Sequence, residues 1–337
     1  QAVGLLPWDV VDARVQVLPV EGQYLDVHQI NAGDYGDYPL VRRLRLSGDH
    51  APPAALVADL DAALHYQAPQ AVQLAAVGDV MLASYVGDTM RATSMRYPFE
   101  GAGVQQVLSQ ADIAFGNLEC ALSDGGTRVN KTYTFRADPA AIEGLQYAGF
   151  DVLSLANNHT GDYGDTALLD TLDVLREANI VAVGAGRTIT EAHEAQIVEV
   201  NGLRVAFLAY NQILPDSFAA TATSPGSAWM DADRMVADVQ AARQAADVVV
   251  VSCHWGIEYS AYPNAAQRRL AQLLADAGAS LILGHHPHVL QGLEYQADTF
   301  TAYSLGNFVF YPGLTPETGE TVILEAVLDT SGVKTVR

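Results

Sequence analysis

Residues 281 to 292 read LILGHHPHVLQG. Three of the nine histidines, His285, His286 and His288, fall within four positions where an apolar run gives way to a loop. Imidazole seldom fills a core without a partner, so this triplet reads as a metal site even on its own. Four other apolar runs end in groups able to bind metal: Asp79; Asn117 and Glu119; Asn158 and His159; and His254. Carboxylate, carboxamide oxygen and imidazole form a hard-to-borderline set, suited to Mn, Fe, Zn or Mg and unlike a thiolate site. Taken singly, each of the four has a plainer use. Asp79 after a glycine would cap a turn, Asn117 and Asn158 would satisfy local backbone, and His159 or His254 would be a hydrogen-bonded structural histidine. Five strand ends together favour a site.

The elements that must position these residues share one form. VQLAAVGD, ADIAFGNLE, FDVLSLANNH, ADVVVVSCHWG and ASLILGHHPH are apolar, largely β-branched runs ending in small polar residues, and LRVAFLAYNQ and TFTAYSLGNF repeat the form. Continuous apolar runs suit strands buried on both faces. DTALLDTLDVLREANI and NAAQRRLAQLLADAGA carry the single apolar stripe of a surface helix. The alternation predicts an α/β layered domain. In such sheets ligands bind beyond the carboxyl ends of the strands, so groups scattered over the sequence would converge there. Residues 215–229, PDSFAATATSPGSAW, read as a flexible loop.

Residues 1–70 read differently and carry none of these motifs. ARVQVLPVEG and YPLVRRLRLSG look like strands, and PPAALVADLDAALHY like a helix. The second strand resembles the end of periplasmic solute-binding domains, which would make 1–70 the tail of a larger removed domain, ahead of a domain at 71–337. The chain begins at Gln1, which reads as a processed or trimmed protein with any leader or anchor in the removed part.

Half of the 337 residues are hydrophobic, enough for a full core, and no run of eighteen apolar residues is present to span a bilayer. A net charge of −21 disfavours nucleic acid and anionic membrane surfaces as partners. The expected partner is a small-molecule or polymer substrate. Cys120 and Cys253 make no disulfide framework. They neighbour Glu119 and His254, and since strand neighbours point to opposite faces, they read as buried thiols behind the site.

VGDVML, GNLECAL, YTFRADP, LANNHTGDYG, HWGIEY, GHHPHVLQG and YSLGNFVF are similar, in order, to the motifs of the CapA family of poly-γ-glutamate capsule synthesis proteins, within the calcineurin-like metallophosphatase superfamily. The resemblance covers roughly residues 72–312. It implies a four-layer α-β-β-α sandwich, two mixed sheets flanked by helices, and a centre of two divalent ions. By the same resemblance Asp79 and His288 serve metal one, Glu119 bridges, Asn158, His254 and His286 serve metal two, and His159 protonates the leaving group. His285 becomes a supporting residue, although a one-residue frame shift exchanges it with His286. Asn117 and Asn307 are further supporting or substrate-contacting candidates, with Tyr303 shaping the pocket floor. Glu258 is a candidate catalytic base or an orienter of a ligand imidazole.

Two departures stand out. The superfamily's Asp-x-His is Asp79-Val80-Met81 here, and a thioether is a poor ligand for a hard ion. A basic residue often found after this motif is replaced by Ala83, Ser84 and Tyr85, leaving Lys131 and Arg136 as the cations near the site.

The resemblance implies a two-metal hydrolase of a phosphoester or related bond, an amide or γ-glutamyl link included, in capsule or cell-envelope polymer synthesis, located at the envelope or outside the cell. The acidic balance weighs against a long polyglutamate groove. The alternative is a non-catalytic envelope protein that assists polymer assembly or export around a structural or vestigial metal. A third reading, a solute-binding module, would predict a hinged cleft.

Overall fold

The structure, a computed structural model, describes residues 70–337 except 102 and 312–314. The strands and helix expected before residue 70 lie outside the described residues.

In chain order the strands of the two large sheets are β1 (Val72–Val80), β2 (Ile113–Leu118), β3 (Val152–Ser154), β4 (Val181–Val183), β5 (Gln196–Val200), β6 (Leu203–Asn211) and β7 (Val248–His254). They continue with β8 (Leu281–His285), β9 (Leu293–Gln296), β10 (Thr299–Ala302), β11 (Asn307–Val309), β12 (Leu324–Asp329) and β13 (Gly332–Val336). The helices are α1 (Ser84–Ala92), α2 (Val104–Gln110), α3 (Ile142–Ala148), α4 (Gly164–Glu177), α5 (Ile189–His193), α6 (Ala232–Ala245) and α7 (Ala265–Ala277).

In the first sheet β1, β2, β3 and β4 run parallel. β12 pairs antiparallel with the first half of β1, β11 pairs parallel with its end, and β13 closes that edge. The second sheet has the order β9-β10-β8-β7-β6-β5, parallel through β10, β8, β7 and β6 with an antiparallel strand at each edge. β2 and β7 are buried along their whole length, as strands covered on both faces must be.

The layers follow from where the apolar side chains go. Leu74 and Phe115 of the first sheet meet Val205, Phe207 and Val250 of the second in one core, and the Phe115 and Phe207 rings stack at 5.8 Å between them. The other face of the first sheet packs on Met90, Leu108, Leu145 and Leu168 from α1 to α4. The outer face of the second packs on Met235, Val239 and Leu274 of α6 and α7. The described residues thus form a four-layer α-β-β-α sandwich with two mixed sheets.

Two of the three longest helices, α4 and α7, fall where their apolar stripes predict. Asn264 caps α7 by accepting from the Gln267 backbone while the Gln267 side chain bonds back, and Gly278 ends it in the left-handed region. The segment 215–229 differs from expectation. Gly226–Ser227 pairs with Ala185–Gly186, and Ala220, Ser227 and Ala228 are buried, so the stretch is pinned to the body.

Candidate metal centre

Parallel strands in register end at one level. Asp79 pairs with Asn117 on one side and Asn307 on the other, and His254 pairs with His285. The two tips need close backbone approach. A Cβ on Gly78 would stand 1.9 Å from the Gly306 carbonyl oxygen, and one on Gly284 equally close to that of Tyr303. Only glycine fits immediately before Asp79 and His285. Beyond Gly284 the chain bends sharply, with His286 at φ 93° and His288 at φ 58°. Such conformations are costly for side chains with a Cβ and gather at functional sites.

Two donor sets result, and they share Glu119. Asp79, Glu119 and His288 offer atoms all within 4.8 Å of one another, as do Glu119, His254 and His286. Asn158 joins the second set, its Oδ1 lying 2.8 Å from His254 Nε2, which is 3.6 Å from Glu119 Oε1. The six residues expected as ligands therefore meet at one place between the sheets, and all are buried.

Their polar atoms are poorly satisfied by protein. Neither carboxylate oxygen of Glu119 has a hydrogen-bond partner, nor does Nδ1 of His286, nor either ring nitrogen of His285. An unpaired buried polar group costs about 1–3 kcal/mol, more when charged. Glu119 and His286 lie in groups of donors that could hold a cation, and the donor types suit a divalent one. Burial and the neighbouring Asp79 push the Glu119 carboxyl well above its usual range. Burial also opposes ionisation of Asp79, but His285 and His288, each 3.4 Å from one of its oxygens, hold it well below the usual range. Burial and the adjacent His288 bring His286 down to about 3. Burial works the same way on His288, but Glu119 and Asp79 overcome it and raise that ring to about 10.

Supporting contacts aim these groups. Asn117 Nδ2 donates to Asp79 Oδ1 at 2.8 Å and lies 3.4 Å from His254 Nδ1. Asn307 Oδ1 is 2.9 Å from His288 Nδ1. His285 sits against Asp79 but joins neither donor set; His286 does.

His159 stands beside the cluster with Nε2 3.9 Å from Glu119 Oε1. Its Nδ1 is 2.6 Å from Asp162 Oδ2, and Lys131 Nζ lies 2.8 Å from Asp162 Oδ1 and bonds the Asn158 carbonyl. Lys131 is thus tied to the site's frame. Burial lowers the basicity of His159, and Asp162 partly offsets this. The sequence hides the role of Asp162, because an aspartate between glycine and tyrosine reads as a turn residue; its one signal is the spacing of three from His159. Asn157 is equally inconspicuous in the sequence. It donates to Asn117 Oδ1 and the Leu118 carbonyl while its Oδ1 accepts from the His159 backbone.

Other expected residues lie elsewhere or at the rim. Arg136 donates to the carbonyls of Asp124 and Gly125 and covers the Tyr163 ring. Tyr303 does not shape the pocket floor: it stacks on Trp255 and donates to Glu294 Oε2, on the outer side of the second sheet. Met81 is buried in the apolar layer under α1 to α4. Cys120 and Cys253 are buried thiols, and burial raises both, Cys120 to about 12. Glu258 is exposed at the mouth, within 4.8 Å of donor atoms of His286 and His288.

Residues 73–312 match the model of the bacterial capsule synthesis protein PGA_cap family. The PGA biosynthesis protein CapA of Bacillus subtilis (strain 168) is 36% identical over 247 residues, covering 70% of this chain and 65% of the relative. The capsule biosynthesis protein CapA of Bacillus anthracis is also 36% identical over 247 residues, covering 71% of this chain and 60% of the relative. The matches thus extend over somewhat less than two thirds of each of these relatives. Among solved structures, a hypothetical protein from Thermus thermophilus aligns with a TM-score of 0.49 at 17% identity, over 78% of this chain and 96% of that one, a likeness too loose to carry anything further.

Proposed function

This chain belongs to the bacterial capsule synthesis family PGA_cap, and from that premise we propose that it is a divalent-metal-dependent hydrolase. Its substrate would be a phosphoester or related bond, in the making of a capsule or other cell-envelope polymer, with the protein acting at the envelope. The observation that carries the reading is Glu119, buried between two donor sets with both carboxylate oxygens lacking a hydrogen-bond partner.

Asp79, Glu119 and His288 would hold one ion, and Glu119, Asn158, His254 and His286 another. Ions bound there would supply Lewis acidity and a more acidic water. The chain's own groups do the rest. Asn117 fixes the rotamers of Asp79 and His254 through its amide. His159, held at Nδ1 by Asp162, keeps Nε2 turned toward the cluster, and its protonated ring would donate from Nε2 to the departing oxygen. Asp162 stabilises that positive ring, and Lys131 fastens Asp162 and the Asn158 backbone together. The sheets on either side bury the six donor residues.

The test is turnover of p-nitrophenyl phosphate, bis-p-nitrophenyl phosphate and a γ-glutamyl amide with added Mn. Hydrolysis of one of them, lost on chelation, is the expected result. One observation favours a second reading, a non-catalytic protein assisting polymer assembly: the Met81 thioether faces the apolar layer, so the Asp79 set has one donor fewer than the Asn158 set. Bound metal without turnover on any of the three compounds would select that reading.

A further inference from the structure

We propose that Glu258 is a metal ligand, closing the solvent side of the centre together with His286 and His288. The inference rests on the metal-centre reading above and assigns a donor beyond its two sets.

The reach is present. A carboxylate oxygen of Glu258 and one ring nitrogen each from His286 and His288 lie within 4.8 Å of one another. The two imidazoles belong one to each of the other sets, so Glu258 stands at the point where both open outward. His286, one of these imidazoles, is buried and its Nδ1 lacks a hydrogen-bond partner.

The backbone is built to hold Glu258 there. After β7 ends at His254, the Trp255 amide donates to the His285 carbonyl. The chain then turns with Gly256 at φ 91° and Tyr259 at φ 61°. The Tyr259 amide donates at 2.8 Å to the carbonyl of Pro287, the residue between the two histidines. The segment carrying Glu258 is thereby fastened to the segment carrying His286 and His288. A left-handed tyrosine is costly, and such strain persists where the surrounding structure holds it in place.

The need is present as well. The Asp79 set has three protein donors, one of them shared, while the second set gains Asn158. A hard divalent ion takes oxygen donors readily, and Glu258 supplies one from the exposed side.

The experiment is calorimetric titration of the metal-free full chain with Mn²⁺, for the parent and for Glu258→Gln, with elemental analysis of the dialysed proteins. Glu258 is exposed, so the variant should fold, and an unchanged melting temperature without metal checks this. The expected result is that one binding step weakens by more than about a hundredfold while the other is retained, beyond the 10–100-fold that loss of a carboxylate merely orienting a ligand costs; a smaller loss overturns ligation. Identical titrations overturn the assignment of Glu258 alone, and so does equal weakening of both steps, the mark of charge without ligation. A parent chain that takes up no Mn²⁺ overturns the metal-centre reading together with it.

Discussion

At the scale of residues, the site is a set of unsatisfied donors and the side chains that aim them. Removing an imidazole should therefore separate binding from chemistry. His254→Ala and His286→Ala each take one donor from the second set and should lose bound metal, measured by elemental analysis after dialysis. His159→Ala should keep its metal, because His159 belongs to neither donor set, and should slow turnover by about 10²–10⁴-fold, the usual worth of a positioned general acid. A His159→Ala enzyme as fast as its parent on a generic phosphoester removes His159 from the reaction. Asp162→Asn keeps the shape but withdraws the charge that supports the protonated ring, and it should lower the rate with metal content unchanged.

At the scale of elements, positions are set by how closely backbones approach. Gly78→Ala would drive a Cβ into the Gly306 carbonyl at 1.9 Å. The segment bearing Asn307 would have to shift, and overpacking of this kind costs about 1–3 kcal/mol or more, so the guanidinium unfolding midpoint should fall and metal uptake with it. Asn264→Ala offers the contrast. It removes the α7 cap at a cost of about 1 kcal/mol, outside the donor cluster, so stability should drop while activity at 25 °C is retained.

The same scale explains what the sequence disclosed. β7 (Val248–His254) and β8 (Leu281–His285) are buried along their whole length, so their apolar runs are unbroken and their polar ends stand out. That made Asp79, Glu119, His254 and the histidine triplet visible as strand tips. The antiparallel edges β5, β9 and β13 are short and partly exposed, and their mixed composition carries no comparable pattern. Asp162 and Asn157 act through side chains within tight turns, where the same residue types serve local backbone. Arg136 and Tyr303 stand in motif segments, but periodicity does not reveal that their side chains turn to Tyr163 and Trp255.

At the scale of the whole molecule, binding and folding are linked. Ligands that bind the folded state alone stabilise it, by about 2.7 kcal/mol at a hundredfold excess over Kd, and here the ions would also relieve the unpaired oxygens of Glu119. Mn should raise the melting temperature in a concentration-dependent way and a chelator should lower it. Cys120 and Cys253 are buried in the layers and raised by burial, so the native protein should resist thiol reagents until it unfolds. Among the described residues no helix is long and apolar enough to cross a membrane. The net charge of −21 would keep polyanions at a distance from any face lacking a local cation.

The most direct test of the central claim is a count of ions. The chain is stripped with chelator, reloaded with Mn, dialysed and assayed by elemental analysis beside Glu119→Gln. The account predicts two ions per parent chain, and one or none once the shared carboxylate is gone. A parent chain that retains no ion, or a Glu119→Gln chain that retains both, would contradict it.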